Sequence, residues 1–151
     1  MENKYGHLDK LTFAQLAYQK SGAKPTGHCA RYIWTAMSSA GLNLPLMDAW
    51  LYSHEKSSVL QTAGFVQVSP VGYQPQIGDL VIWLPCLGKP VPGHPTGTKH
   101  VHGHIQVYTG RSDYPWVSDF KQHDKSLPGL PSNTGGWKSN RAVYEIYRYI
   151  G

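Results

Sequence analysis

A thiol, an imidazole and a carboxylate stand in this chain in an order that suits acyl transfer. The stretch His28-Cys29-Ala30-Arg31-Tyr32-Ile33-Trp34 puts Cys29 where a helical apolar period begins. Ala30, Ile33, Trp34 and Met37 share one helix face, and Gly41 stands where a C′ glycine belongs. Pro25, Thr26 and Gly27 break the chain just upstream. Cys29 is therefore expected on the first turn, where amides lack intrahelical partners and the macrodipole favours negative charge. A thiolate there is stabilised, which lowers the thiol pKa and arms a nucleophile.

Such a nucleophile needs a base within hydrogen-bond reach and a third group to hold that base. His104 follows Gly103 and opens a strand, so its ring can reach over a sheet edge. Asp119 lies on the next strand. A turn at residues 110–113 pairs the two strands antiparallel, with His104 and Asp119 placed about symmetrically around it. They are expected as cross-strand neighbours, Asp119 accepting the Nδ1–H of His104 and fixing the tautomer that faces Cys29.

The elements that must carry these groups follow from periodicity. Thr12-Phe13-Ala14-Gln15 fits a capping box with Thr12 at the cap, and Gly22 closes a short first helix. The residues before it, 1–10, are polar and read as loose. Asp48 to Ala63 reads as a third helix, capped by Gly64. Short strands are expected at Phe65–Val68, Leu80–Leu84, His104–Tyr108, Tyr114–Phe120 and Ala142–Ile150. Gln76-Ile77-Gly78-Asp79 is the turn before the second strand, and Asp79 is read as shaping it. Pro85–Lys99 and Lys121–Asn140, rich in Pro and Gly, read as surface loops. Helices first and strands later, with hairpin-length links, predict an α+β fold with helices packed on one side of an antiparallel sheet. The 151 residues, 40% hydrophobic, suit one domain spanning 1–151 with its own core.

Cys29, then Gly78-Asp79-Leu80-Val81-Ile82-Trp83, then Gly103-His104-Ile105-Gln106-Val107-Tyr108-Thr109-Gly110, then Trp116-Val117-Ser118-Asp119-Phe120, resembles the CHAP and NlpC/P60 superfamily of papain-like cysteine peptidases and amidases. The resemblance implies a papain-like fold, no cofactor and cleavage of amide bonds in peptidoglycan peptides. It implies Cys29 as nucleophile, His104 as base and Asp119 as the orienting residue. It also implies an oxyanion site built from the Cys29 backbone N–H and a tyrosine upstream of the cysteine helix; Tyr18 stands at a similar distance. His28 has no counterpart in that pattern.

Two other readings stay open. His94, His100, His102, His104 and His123 are many for this length; in a strand, His100, His102 and His104 would share one face and could gather zinc with Cys86 or Asp119 for a metal-dependent hydrolase. A non-catalytic wall-binding module is the other, although a module has no need of the Cys–His–Asp order. Trp34, Trp83 and Trp116 read as core, and Cys86 as a bystander thiol. Two cysteines are too few for a disulfide scaffold.

The net charge of +5 suits an anionic polymer such as bacterial wall. Scattered basic residues argue against nucleic acid, and no stretch is apolar enough to insert in a membrane. Residues 1–22 hold Glu2, Lys4, Asp9 and Lys10 and no apolar signal region, so synthesis in a cytoplasm is expected. A wall hydrolase of that kind is similar to small amidase effectors of type VI secretion systems, or to a phage or bacteriocin lytic domain. It would act in the periplasm of a target bacterium, and a producer would need an immunity protein.

Overall fold

The computed structural model describes residues 4–23, 28–84, 103–119, 121–122 and 144–151. Helix α1 spans Lys10–Lys20 and α2 spans Cys29–Ser39; a 3-10 turn, Ala49–Tyr52, and a short α3, Val59–Ala63, follow. The strands are β1 Phe65–Val68, β2 Leu80–Trp83, β3 His104–Tyr108, β4 Trp116–Val117, β5 Lys121–Gln122 and β6 Tyr144–Tyr149. They form one sheet in the order β1-β6-β2-β3-β4-β5, with every pair antiparallel. The fold is α+β, as the order of elements predicts.

The unbroken apolar run of β2 is explained by burial on both faces. Leu80 and Ile82 join the main core with Phe13, Ile33 and Met37 from the helices. Val81 and Trp83 face the other way, into a smaller cluster with Tyr73, Trp116 and Ile146. Asp79 anchors the start of β2. It is fully buried, and its Oδ2 accepts from the Tyr73 hydroxyl at 2.6 Å, the Gln76 amide at 2.9 Å and Arg148 Nη2 at 2.9 Å. The Asp79 reading is thus extended: it shapes the turn and also ties β6 to it through Arg148.

Four local expectations are corrected. Asp9, not Thr12, caps α1: its side chain accepts from the Thr12 amide at 3.0 Å, which makes Thr12 the third helical residue. Residues 5–9 are docked rather than loose, through a Gly6–Leu42 bridge and an Asp9 N–H to Ala40 carbonyl bond of 3.0 Å. The helix expected over 48–63 is broken at Ser53, whose backbone is extended. There the Ser53 hydroxyl donates to Glu145 at 3.1 Å and the His54 amide to the Tyr147 hydroxyl at 3.0 Å, so tertiary partners on β6 replace the helical ladder. Of the strand expected over 114–120, Trp116–Val117 is strand among the described residues, and β5 lies where a loop was expected. Gly41 and Gly64 do take the positive φ expected after their helices. Pro25–Gly27, Cys86 and His94, His100, His102 and His123 lie outside the described residues, as does all of 85–99.

Candidate active site

Cys29 is the first residue of α2. His28, the N-cap, makes no side-chain cap bond, and the first turn holds no acidic residue. A serine or aspartate at the cap would have taken one of the leading amides. Here the amides of Ala30 and Cys29 serve the sulfur instead and pull its pKa down. They do not prevail. Burial pushes the thiol up to about 11; the Ile105 amide opposes that, and the charge of Asp119 adds to it. The expected lowering of the Cys29 pKa is therefore corrected: desolvation of the thiolate outweighs the helix end.

The base candidate is placed by β3. His104 is buried and sits opposite Trp83 in the β2–β3 register. Strand alternation puts it on the Trp83 face, while Ile105 points to the helices. Gly103 explains why a glycine precedes it. Its φ is +68°, and a Cβ there would lie 2.5 Å from the Trp83 carbonyl oxygen and 2.8 Å from Trp50 Cβ. Only a residue without a side chain lets the 3-10 turn close against this corner. Strand β4 pairs with β3 only at Val107 and Tyr108, so the His104–Ile105 end lies beyond that ladder. The mouth of α2 meets the strand there, and the Ile105 amide reaches the sulfur.

Asp119 is buried, close enough to Cys29 for its charge to act on the thiol. It is not the ladder partner of His104 that symmetry about the turn suggests; it lies in a bend past the end of β4. Its backbone carbonyl accepts from the Gly22 amide at 2.9 Å, and its Oδ1 accepts from the Ser118 hydroxyl at 3.0 Å. The residue that follows the α1 cap thus ties down the Asp119 backbone, and Ser118 engages its carboxylate. Gln106, on the His104 face, is also fully buried and accepts from Trp83 Nε1 at 2.5 Å. Trp83 and Trp116 are core, as expected, and Trp34 is half-buried.

The Cys29 end of α2 opens on a cleft of about 440 Å³ formed by residues 28–31 and 46–49. Its far wall is fixed. Trp34 Nε1 donates to the Leu44 carbonyl at 2.5 Å, the Tyr52 hydroxyl donates to the Pro45 carbonyl at 2.6 Å, and the Met47 amide donates to that hydroxyl at 3.2 Å. Sequence reasoning missed Leu46, Met47 and Asp48 as site residues. No local pattern marks them; the pinning partners are an indole and a phenol that read as core.

Tyr18 lies near the end of α1. The Arg111 guanidinium lies 3.9 Å and the Lys121 ammonium 4.7 Å from its ring centroid, and the Tyr114 ring is 6.2 Å away. Among the described residues, the group with metal-ligand proximity is His54, Glu55 and Glu145. It lies outside the histidine-rich segment singled out from sequence. Glu145 is already engaged, accepting from the Ser53 and Tyr147 hydroxyls and pairing with His54 Nδ1 at 2.8 Å.

No helix among the described residues is long and apolar enough to cross a membrane. No family model matches the chain, and no curated protein does. Two solved structures do resemble it. One is a chain of the native type VI effector–immunity complex Tae3–Tai3 from Ralstonia pickettii, at 29% identity and a TM-score of 0.66 over 93% of this chain and 98% of that one. The other, a chain of the selenomethionine form of that complex, gives 29% identity and a TM-score of 0.64 over 91% and 99%. The chain thus shares, across nearly its whole length, the fold of a component of a type VI effector–immunity pair.

Proposed function

We propose that this chain is a single-domain type VI effector that hydrolyses amide bonds of peptidoglycan peptides, with Cys29 as nucleophile, His104 as base and Asp119 as its orienting group. The observation that carries the reading is the meeting of three elements at one point. Cys29 opens α2, its sulfur takes the Ile105 amide beside His104, and it feels the buried Asp119 carboxylate. The likeness to the Tae3–Tai3 complex supports an effector and, for the producing cell, an immunity protein that protects against it.

A thiol with a pKa near 11 is almost wholly protonated at neutral pH, so the mechanism needs the base at the moment of attack. The imidazole of His104 takes the proton as Sγ bonds to the carbonyl carbon. The oxyanion that forms is met by the Cys29 amide; Tyr18 is a second candidate donor. The C–N bond then breaks as His104 returns the proton to the departing amine. Water, deprotonated by His104, attacks the thioester and releases a carboxylate and the free thiol. Asp119 keeps the imidazole in one orientation and stabilises it when charged.

The papain-like CHAP and NlpC/P60 pattern supports this assignment of roles, and no cofactor enters it. Expression in a Gram-negative host with and without an export signal tests the setting. Lysis only on export agrees with wall attack in the periplasm; toxicity confined to the cytoplasm contradicts it. Digestion of purified wall by the native chain and by Cys29→Ala tests the chemistry.

A further inference from the structure

We infer that Gln106 is a positioning residue for the base: its amide holds the Trp83 indole beside His104 and so keeps the imidazole in one orientation and one tautomer. This deepens the reading of His104 as the base of a wall-peptide amidase, on which it rests.

His104 opens β3 and, among the described residues, has a strand neighbour on one side only. Strand β4 pairs with β3 at Val107 and Tyr108 and reaches no further. On the other side, β2 sets Trp83 directly opposite His104. Side chains so opposed in a sheet lie within contact range, so whatever fixes the indole also fixes one wall of the imidazole's site. Tyr144, opposite Trp83 on β6, brings its ring centroid to 4.9 Å from that of the indole. Gln106 holds the polar edge, accepting from Trp83 Nε1 at 2.5 Å.

Packing alone does not explain this amide. Gln106 is fully buried, on the face of the sheet where Tyr73, Val81, Trp83, Trp116 and Ile146 cluster. An indole N–H can only donate, so the amide oxygen faces Trp83 and the NH2 end faces away. That Nε2 is buried and meets no hydrogen-bond partner among the described residues. The fold thus bears the cost of a buried, unpaired donor in order to keep an acceptor on Trp83. A leucine would pack there without that cost, but would leave the indole unheld. An imidazole whose wall moves can turn away from Asp119, and orientation and tautomer are then lost together.

The test is the full chain with Trp83→Phe and Gln106→Leu, made singly and together. The double variant removes donor and acceptor at once and orphans neither, so it is expected to fold even where a single change does not. Nitrogen NMR of the imidazole, at about pH 8.5 and so above the ordinary histidine range, reports the His104 tautomer. The native chain is expected to show one tautomer, and Gln106→Leu and the double variant a mixture. For soluble muropeptides, kcat should fall at least about tenfold in the single and double variants alike, with KM within about twofold of native, because both changes act through the same bond. One tautomer with native kcat in the double variant, or losses that multiply when the changes are combined, overturns the inference. A tautomer mixture in the variants of a chain that cleaves no wall peptide leaves this inference standing and removes the amidase reading. Cys29-dependent cleavage that is indifferent to Gln106→Leu does the reverse.

Discussion

The backbone amide of Ile105 hydrogen-bonds the Cys29 sulfur. The bond lies where α2 packs on β3. Helix α2 brings the thiol, β3 brings the amide, and the residue before that amide is His104. The contact falls where β4 has stopped pairing with β3, which leaves that end of the strand to the helix.

The buried thiol makes stability depend on alkaline pH. Folding raises the Cys29 pKa from the ordinary 9.0 to about 11, so the folded chain holds a proton that the unfolded chain releases. The resulting stabilisation is complete below pH 9 and is lost as pH rises toward 11. At about 1.4 kcal/mol per unit, the stability of the native chain relative to Cys29→Ala should fall by about 2–3 kcal/mol across that window. Urea unfolding of both chains at pH 8 and pH 11 measures it; a constant difference contradicts it.

Asp119→Asn should move reactivity and catalysis in opposite directions. Its charge raises the Cys29 pKa, so removing it lowers that pKa and speeds alkylation by iodoacetamide at pH 8. Wall-peptide cleavage should fall by about 10²- to 10⁴-fold, because the imidazole loses its orienting carboxylate. Parallel loss of alkylation and cleavage would instead mean that the variant has simply unfolded the site.

Gly103→Ala should cost at least about 2 kcal/mol, since the residue is at φ +68° and the new Cβ would meet the Trp83 carbonyl oxygen and Trp50. The corner it supports carries His104, so cleavage per folded molecule should fall as well. Thermal unfolding together with peptide turnover below the new midpoint separates the two effects; a neutral substitution contradicts the packing account.

Arg148→Leu tests the anchor of β2. Arg148 makes bonds of 3.0 and 2.9 Å to the fully buried Asp79, and its loss leaves that carboxylate without its cation. The expected cost is about 3–5 kcal/mol. Cleavage at low temperature, where the chain stays folded, should remain near the native rate, because neither residue touches the cleft. Unchanged stability would refute the anchor.

Much of this architecture was legible because the relevant signals are local. The β2 run Leu80–Trp83, the glycines after α2 and α3, and the cysteine at the start of α2 each follow from a short window of residues. What was not legible depends on distant partners. The break at Ser53 is made by Glu145 and Tyr147 on the last strand. Turn symmetry made Asp119 a ladder partner of His104, but Asp119 lies in a bend past β4, its carbonyl bonded by the Gly22 amide. The charge state of Cys29 was misjudged because the helix end is visible in sequence while the burial that outweighs it is not. The cleft wall at Leu46–Asp48 left no trace, since only the fold brings it to α2.

Mass spectrometry of muropeptides released from purified peptidoglycan, by the native chain and by Cys29→Ala, tests the central claim most directly. The native chain should release peptides with one amide bond hydrolysed, at a rate that His104→Ala also abolishes, while Cys29→Ala folds normally and releases none. Equal release by the native chain and by a folded Cys29→Ala would contradict the account.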